Sequence, residues 1–160
     1  MIFILEGPDG SGKTTLASKL SEAFNFPVKH FSYPKTEEEQ KALFETYQQY
    51  LLTHDNVIID RMWLSTMVYG PVMRGVSEVS TDQATLLEKA FGHKIIMIYC
   101  TGDPQILWER CSKRGEDYVQ TLGKFRDICR RYDEVMLTTK HYIPIHTWTF
   151  KEANNELANN

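Results

Sequence analysis

Residues 7–15, Gly7-Pro8-Asp9-Gly10-Ser11-Gly12-Lys13-Thr14-Thr15, constrain what this chain can become more than any other stretch. The apolar run Ile2-Phe3-Ile4-Leu5 leads into them and a helical-looking stretch from Leu16 to Phe24 follows, so the local order is strand, glycine loop, helix. Glycines at 7, 10 and 12 allow φ > 0 and let backbone N–H groups turn inward around anionic oxygens, with the positive end of the next helix behind them. Residues Gly7, Asp9, Gly10, Ser11, Gly12, Lys13, Thr14 and Thr15 then form the phosphate cradle; Lys13 reaches the β/γ-phosphates and the Thr14 hydroxyl takes Mg²⁺. At average residue frequencies the pattern G-x-x-x-x-G-K-[ST] arises by chance in only about 1 in 200 chains of this length, and a bare turn has no need of Lys-Thr at its end. The expected ligand is a nucleoside triphosphate.

The remaining chain is long enough for one domain with a full core: 160 residues, 42% hydrophobic and 24% charged. A net charge of -3 argues against a nucleic-acid duplex or an anionic membrane as the main partner, and leaves small phosphorylated ligands open. Cys100, Cys111 and Cys129 are odd in number and form no C-x-x-C pair, which suits a reducing compartment. The five histidines lack metal-ligand spacing. With no charged leader and no run of membrane-spanning length, the expectation is a cytoplasmic soluble enzyme.

Taken in order, Val28 to Tyr33 reads as a second strand, halted by Pro34. Thr36 with Glu39 forms a capping box for a helix over 37–53, which carries Leu43, Phe44, Tyr47, Tyr50 and Leu51. Val57-Ile58-Ile59-Asp60 is a buried parallel strand ending in a carboxylate, placed to face Mg²⁺, with Arg61 beside it to meet a phosphate. A short helix over 62–72 puts Ser65 and Tyr69 on one face and stops at Gly70-Pro71. Ser80 caps a helix over 81–91, Lys94 to Cys100 is the fourth strand, and Asp103-Pro104 opens a helix whose last turns align Arg110 and Arg114. A helix from 116 to about 138 and a fifth strand over 143–150 complete the set, followed by a polar tail, 151–160. Strands alternating with helices predict an α/β fold with a parallel sheet, and ligands collect at the carboxyl ends of its strands. The glycine loop, Pro34-Lys35 and Asp60-Arg61 all sit at such ends.

With these residues in place the chain resembles the thymidylate kinase group of nucleoside monophosphate kinases. Glu6 to Thr15 is similar to that family's E-G-x-D-G-x-G-K-T-T, and Asp60-Arg61 with Ser65 and Tyr69 to its D-R-Y-x-x-S-x-x-x-Y. Tyr33-Pro34-Lys35 is similar to its F-P-R, and Arg110 to Arg114 with Gly115-Glu116-Asp117 looks like a shortened lid, about 110–118. The resemblance implies a three-layer P-loop kinase fold over 1–150, with a five-stranded parallel sheet flanked by helices. It also implies ATP and Mg²⁺, a homodimer, and transfer of the ATP γ-phosphate to a dTMP-like deoxynucleoside monophosphate. Lys13, Arg61, Arg110 and Arg114 would be catalytic, and Thr14 and Asp60 would hold the metal. The acceptor would lie on Asp9, Lys35, Phe44, Gln48, Arg61, Ser65 and Tyr69, with Phe44 stacking on the base and Tyr69 crowding the 2′ carbon.

Two departures bear on the acceptor. About two dozen family residues between Thr36 and Phe44 are missing, and Gln48 stands where the family commonly has a base-reading arginine. An amide both donates and accepts, so it reads a different base edge from a guanidinium. The segment 43–54 also resembles the deoxynucleoside kinases, whose 5′-hydroxyl acceptor needs a general base, supplied there by a glutamate just before a proline; here that residue is Tyr33, and Lys35 follows. A nucleotide-binding regulator that transfers nothing is the third reading, against which the arginines at 110 and 114 argue.

Overall fold

The computed structural model describes residues 1–115, 118–139 and 142–146. Five strands, β1 (Ile2–Glu6), β2 (Val28–His30), β3 (Val57–Asp60), β4 (Ile95–Thr101) and β5 (Tyr142–His146), form a sheet of order β2-β3-β1-β4-β5 in which every pairing is parallel. The register sets Leu5 and His30 opposite Asp60, and Glu6 opposite Tyr99. This brings the carboxyl ends of β1, β2 and β3 level, where an open α/β sheet offers its crevice.

Strand side chains alternate between two cores. Ile2, Ile4, Val57 and Ile59 pack with residues of the helices α3 (Leu43–Thr53), α4 (Trp63–Arg74), α5 (Thr81–Phe91) and α7 (Leu122–Thr138). Phe3, Leu5, Ile58 and Ile98 pack with Leu16 and Ala17 of α1 (Lys13–Phe24). Helices on both faces of a parallel sheet make the three layers that the alternating elements predict. The remaining helices are α2 (Glu37–Lys41) and α6 (Pro104–Lys113).

Several boundaries correct the sequence expectations. Strand β2 ends at His30 and not at Tyr33, because its partner β3 ends at Asp60 and Arg61 turns the chain away with φ 69°. The stretch 31–34 thereby leaves the sheet. The predicted helix over 37–53 is two: its exposed first turn, with the Thr36–Glu39 capping box in place, is interrupted at Ala42, where burial begins with Leu43. Helix α4 does not stop at Gly70-Pro71 but runs to Arg74 and ends on Gly75 at φ 79°. Packing overrides the breaker: every residue from Trp63 to Gly70 is buried, and that burial outweighs the ladder hydrogen bond that Pro71 removes. Thr121, whose hydroxyl accepts from Lys124 N at 3.2 Å, caps α7 later than the expected start at 116. Strand β4 is shifted one residue onward, and β5 is described over Tyr142–His146. Residues 116 and 117 of the expected lid, 147–150 of the expected strand and the 151–160 tail lie outside the described residues.

Candidate active site

The glycine loop links β1 to α1 with Gly7 at φ 141°, Gly10 at φ 75° and Gly12 at φ 83°. Two of these positions exclude any side chain for reasons of space as well. A Cβ on Gly7 would lie 1.9 Å from the Cys100 carbonyl oxygen, and one on Gly10 would lie 2.6 Å from that of Leu107. The loop is thus pressed between β4 and α6. Lys13 folds back under it, its Nζ donating to the Pro8 carbonyl at 2.7 Å and to Ser11 Oγ at 3.4 Å. Only 6% of Lys13 is exposed. Burial, then the Arg61 cation, pushes its ammonium down to about 8, although Asp9 and Asp60 pull the other way. Thr14 and Thr15 are exposed at the mouth of the loop. From α6, Arg110 Nη1 donates to the Gly10 carbonyl at 3.3 Å, and Arg114 caps the helix with Nη2 3.9 Å from Cys111 Sγ.

Beside the loop is a cavity of about 300 Å³. Its floor is a network centred on Arg61. The guanidinium pairs with Asp9 Oδ1 and donates to Tyr132 Oη at 3.0 Å, Tyr69 Oη at 3.3 Å and Ser65 Oγ at 3.4 Å. Tyr69 Oη donates to the second Asp9 oxygen at 2.8 Å, and the Tyr69 ring lies under the guanidinium at 5.0 Å. Although burial opposes its charge, the oxygens of Tyr69, Tyr132, Asp9 and Glu6 hold Arg61 well above its ordinary range. Burial likewise works to raise the Asp9 carboxyl, but Arg61, Lys13 and the Tyr69 hydroxyl outweigh it and hold it below the usual range. Under this network lies Glu6, wholly buried, which accepts from Met62 N at 2.8 Å, Ser65 Oγ at 2.5 Å and Tyr132 Oη at 3.5 Å. Burial raises its pKa. The arrangement can grip an anion over Arg61 while holding that arginine in one pose.

Asp60, at the end of β3, is buried. Its Oδ2 lies 3.3 Å from His30 Nδ1, and its Oδ1 has no hydrogen-bond partner among the described residues. An orphaned carboxylate oxygen beside a phosphate loop suits a hard cation that takes oxygen ligands from protein and phosphate together.

Of the residues expected at the site, the fold brings Asp9, Arg61, Ser65 and Tyr69 to the cavity wall, along with Pro34. Lys35 does not line it; its side chain is exposed, and its backbone N–H donates to Glu39 Oε2 at 2.6 Å. Phe44 packs half-buried against the core, and Gln48 is exposed. The α3 side chain that does face the cavity is Tyr47, flanked by Phe31 at 5.1 Å. Sequence reasoning singled out neither Glu6, Tyr47, Arg74, Tyr118 nor Tyr132 as a site residue. Glu6 ends an apolar strand just as Asp60 does, and Arg74 stands four residues before Glu78; those signals were available. Nothing local distinguishes Tyr132, which reaches Arg61 from 71 residues away.

No family model matches the chain. It is 35% identical over 137 residues to the SPbeta prophage-derived protein YorR of Bacillus subtilis strain 168, spanning 84% of this chain and 81% of that one. A 73-residue stretch, 43% of this chain and 47% of its counterpart, is 40% identical to a protein of Acidianus bottle-shaped virus provisionally named a thymidylate kinase. Among solved structures, YorR in complex with phosphorylated GDP superposes with a TM-score of 0.79 at 31% identity, covering 92% of this chain and 86% of that one. Deoxyadenosine kinase of M. mycoides with bound dCTP follows with a TM-score of 0.59 at 17% identity, covering all of both chains, a likeness of fold. The architecture is that of the P-loop kinases.

Proposed function

The chain belongs to the family of the Bacillus subtilis prophage protein YorR, and from that premise we propose that it is a kinase moving the ATP γ-phosphoryl group to a deoxynucleoside monophosphate. A dTMP-like acceptor is the first expectation, supported by the stretch shared with the viral protein; the GDP derivative in YorR supports admitting a guanine base as well. The observation that carries the reading is Arg61, a cation fixed by Asp9, Tyr69 and Tyr132 in the wall of a cavity beside a lysine-bearing phosphate loop. Such a cation is what an acceptor already carrying a phosphate needs.

In the transfer, an oxygen of the acceptor phosphate bonds to the γ-phosphorus as the bond from that phosphorus to the β-bridging oxygen breaks, and ADP leaves. The acceptor phosphate is ionised near neutral pH, so no protein base has to take a proton. The side chains agree with that economy. Both Glu6 oxygens are engaged, Asp9 is held ionised against Arg61, and the Tyr33 hydroxyl donates to Glu78 Oε1 at 3.1 Å. None of these three stands ready to deprotonate a 5′-hydroxyl, and the open oxygen of Asp60 is assigned on this reading to the metal. Lys13 holds the donor phosphates, Arg61 the acceptor phosphate, and Arg110, already at the loop, neutralises charge from the third side. Asp60 and Thr14 would hold Mg²⁺, which supplies charge neutralisation on the phosphates of bound ATP; the partnerless Asp60 Oδ1 fits that role.

A panel of deoxynucleosides and their 5′-monophosphates with ATP, products separated by chromatography, tests the reading. Diphosphates should form from the monophosphates. Monophosphates formed from nucleosides instead, or ATP consumption indifferent to both, would overturn it.

A further inference from the structure

The cavity has a second arginine, at the far end of α4 from Arg61. Arg74 lines the wall together with Tyr33 and Tyr118, and its guanidinium is held on three sides. Its Nε donates to Glu78 Oε1 at 3.0 Å, Nη2 to Glu78 Oε2 at 3.2 Å, and Nη1 to Tyr118 Oη at 3.2 Å. The Tyr33 ring stacks against it at 4.0 Å, and the Tyr33 hydroxyl returns to the same Glu78 carboxylate. The Glu78 side chain is only 5% exposed. A loop staple would need the ion pair alone. Here the pair is oriented by two tyrosines and turned along a cavity wall. Of the five N–H groups on a guanidinium, these bonds engage three; one on Nη1 and one on Nη2 have no partner among the described residues.

We propose that Arg74, clamped by Glu78 and Tyr118 and backed by Tyr33, reads the base of the acceptor by donating to a ring carbonyl. The enzyme therefore favours 6-oxopurines and 4-oxopyrimidines over their amino counterparts. This rests on the monophosphate-acceptor reading above. With the phosphate on Arg61 and the sugar between Asp9 and Tyr69, the base extends between Tyr47 and the α4 side of the cavity toward Arg74. A guanidinium only donates, so a carbonyl at that edge is bonded, while an exocyclic amino group sets donor against donor. The cation comes from the end of α4, whereas the residue in the family's base-reading position, Gln48, is exposed on α3.

The test measures kcat/KM for dGMP, dTMP, dUMP, dAMP and dCMP with wild type and with Arg74→Met. Wild type should prefer the oxo bases by roughly tenfold or more, and Arg74→Met should bring that ratio near one, chiefly through KM for the oxo acceptors. Glu78→Gln, which leaves the arginine but loosens its clamp, should reduce the ratio in part. A measurement independent of variant folding compares dGMP with the deoxynucleotide of 2-aminopurine, which lacks the 6-oxo group. Wild type should lose roughly tenfold in kcat/KM on that exchange. Monophosphate turnover with a wild-type preference for amino bases, or with a ratio unchanged in Arg74→Met, overturns the inference alone. Turnover of nucleosides but of no monophosphate overturns the acceptor reading and the inference with it.

Discussion

The two halves of the cleft are built in opposite ways. The phosphate loop is nine consecutive residues whose shape follows from three glycines, and its cation, Lys13, is buried without a carboxylate bonded to its ammonium among the described residues. The cavity proposed for the acceptor takes its cation from the end of β3, its counter-charge from the loop at Asp9, and its hydroxyls from α4 and α7; Arg61 is paired with a carboxylate and three hydroxyls. A cation left undercompensated is held in readiness for the anion it binds, at a cost in stability. A cation that is compensated is part of the folded framework, and on the proposed reading the acceptor phosphate would join an existing network.

The sharpest way to break this contrast is to remove each cation in turn. Lys13→Met should lower kcat by a factor on the order of 10² or more, the loss expected when a preorganised charge at the transferring group is deleted. Its thermal stability at pH 7 should nonetheless rise, on the order of 2 kcal/mol, because the depressed pKa means that the fold disfavours the ammonium. Arg61→Met should also cost about 100-fold in kcat/KM for the acceptor while leaving KM for ATP nearly unchanged. Its stability should fall, by roughly 3 kcal/mol, because Asp9 is left partly buried with its pairing charge gone. Activity assays and melting curves on both variants decide the matter; stability changes of the same sign would refute the contrast.

Acidity sharpens it next. Folded Lys13 gives up its proton near pH 8, whereas an ordinary lysine does so near 10.5. On the proposed reading Lys13 holds the ATP phosphates in its charged form, so KM for ATP should rise with pH above about 8, by roughly tenfold per unit at most. Over the same range KM for the acceptor should stay flat, since Arg61 is held above its ordinary range and does not titrate. Between about 8 and 10.5 the unfolded lysine binds more protons than the folded one, so this group adds stability as pH rises; the difference between wild type and Lys13→Met in pH-dependent melting should show that slope. The smallest effect is expected at Tyr69. Replacing it with alanine should raise ribonucleotide turnover relative to deoxynucleotide turnover by about fivefold, on the order of 1 kcal/mol. An unchanged ratio would remove this ring from the sugar site.

The legibility of the molecule follows the same division. The loop, the strand that ends at Asp60, the caps at Thr36, Ser80 and Asp103, and the layered α/β plan could all be read from residues a few positions apart. These features depend on glycine's freedom at positive φ, on side-chain caps and on hydrophobic period, which are local properties of a chain. The sequence by itself therefore determined the shape of the glycine loop and what kind of sheet presents it.

Which side chains line the cavity was decided by tertiary packing. Phe44 and Tyr47 lie three residues apart on one helix, and only Tyr47 lines the cavity. Glu6 and Tyr132 lie 126 residues apart and meet through Ser65. Arg74 comes to the cavity because α4 runs on through Pro71, held by burial that overrides the breaker in its sequence. Local rules fix the direction of each backbone segment, but a cavity is the space left between segments. Its walls are set by how the helices settle on the sheet, to which every buried contact in the fold contributes.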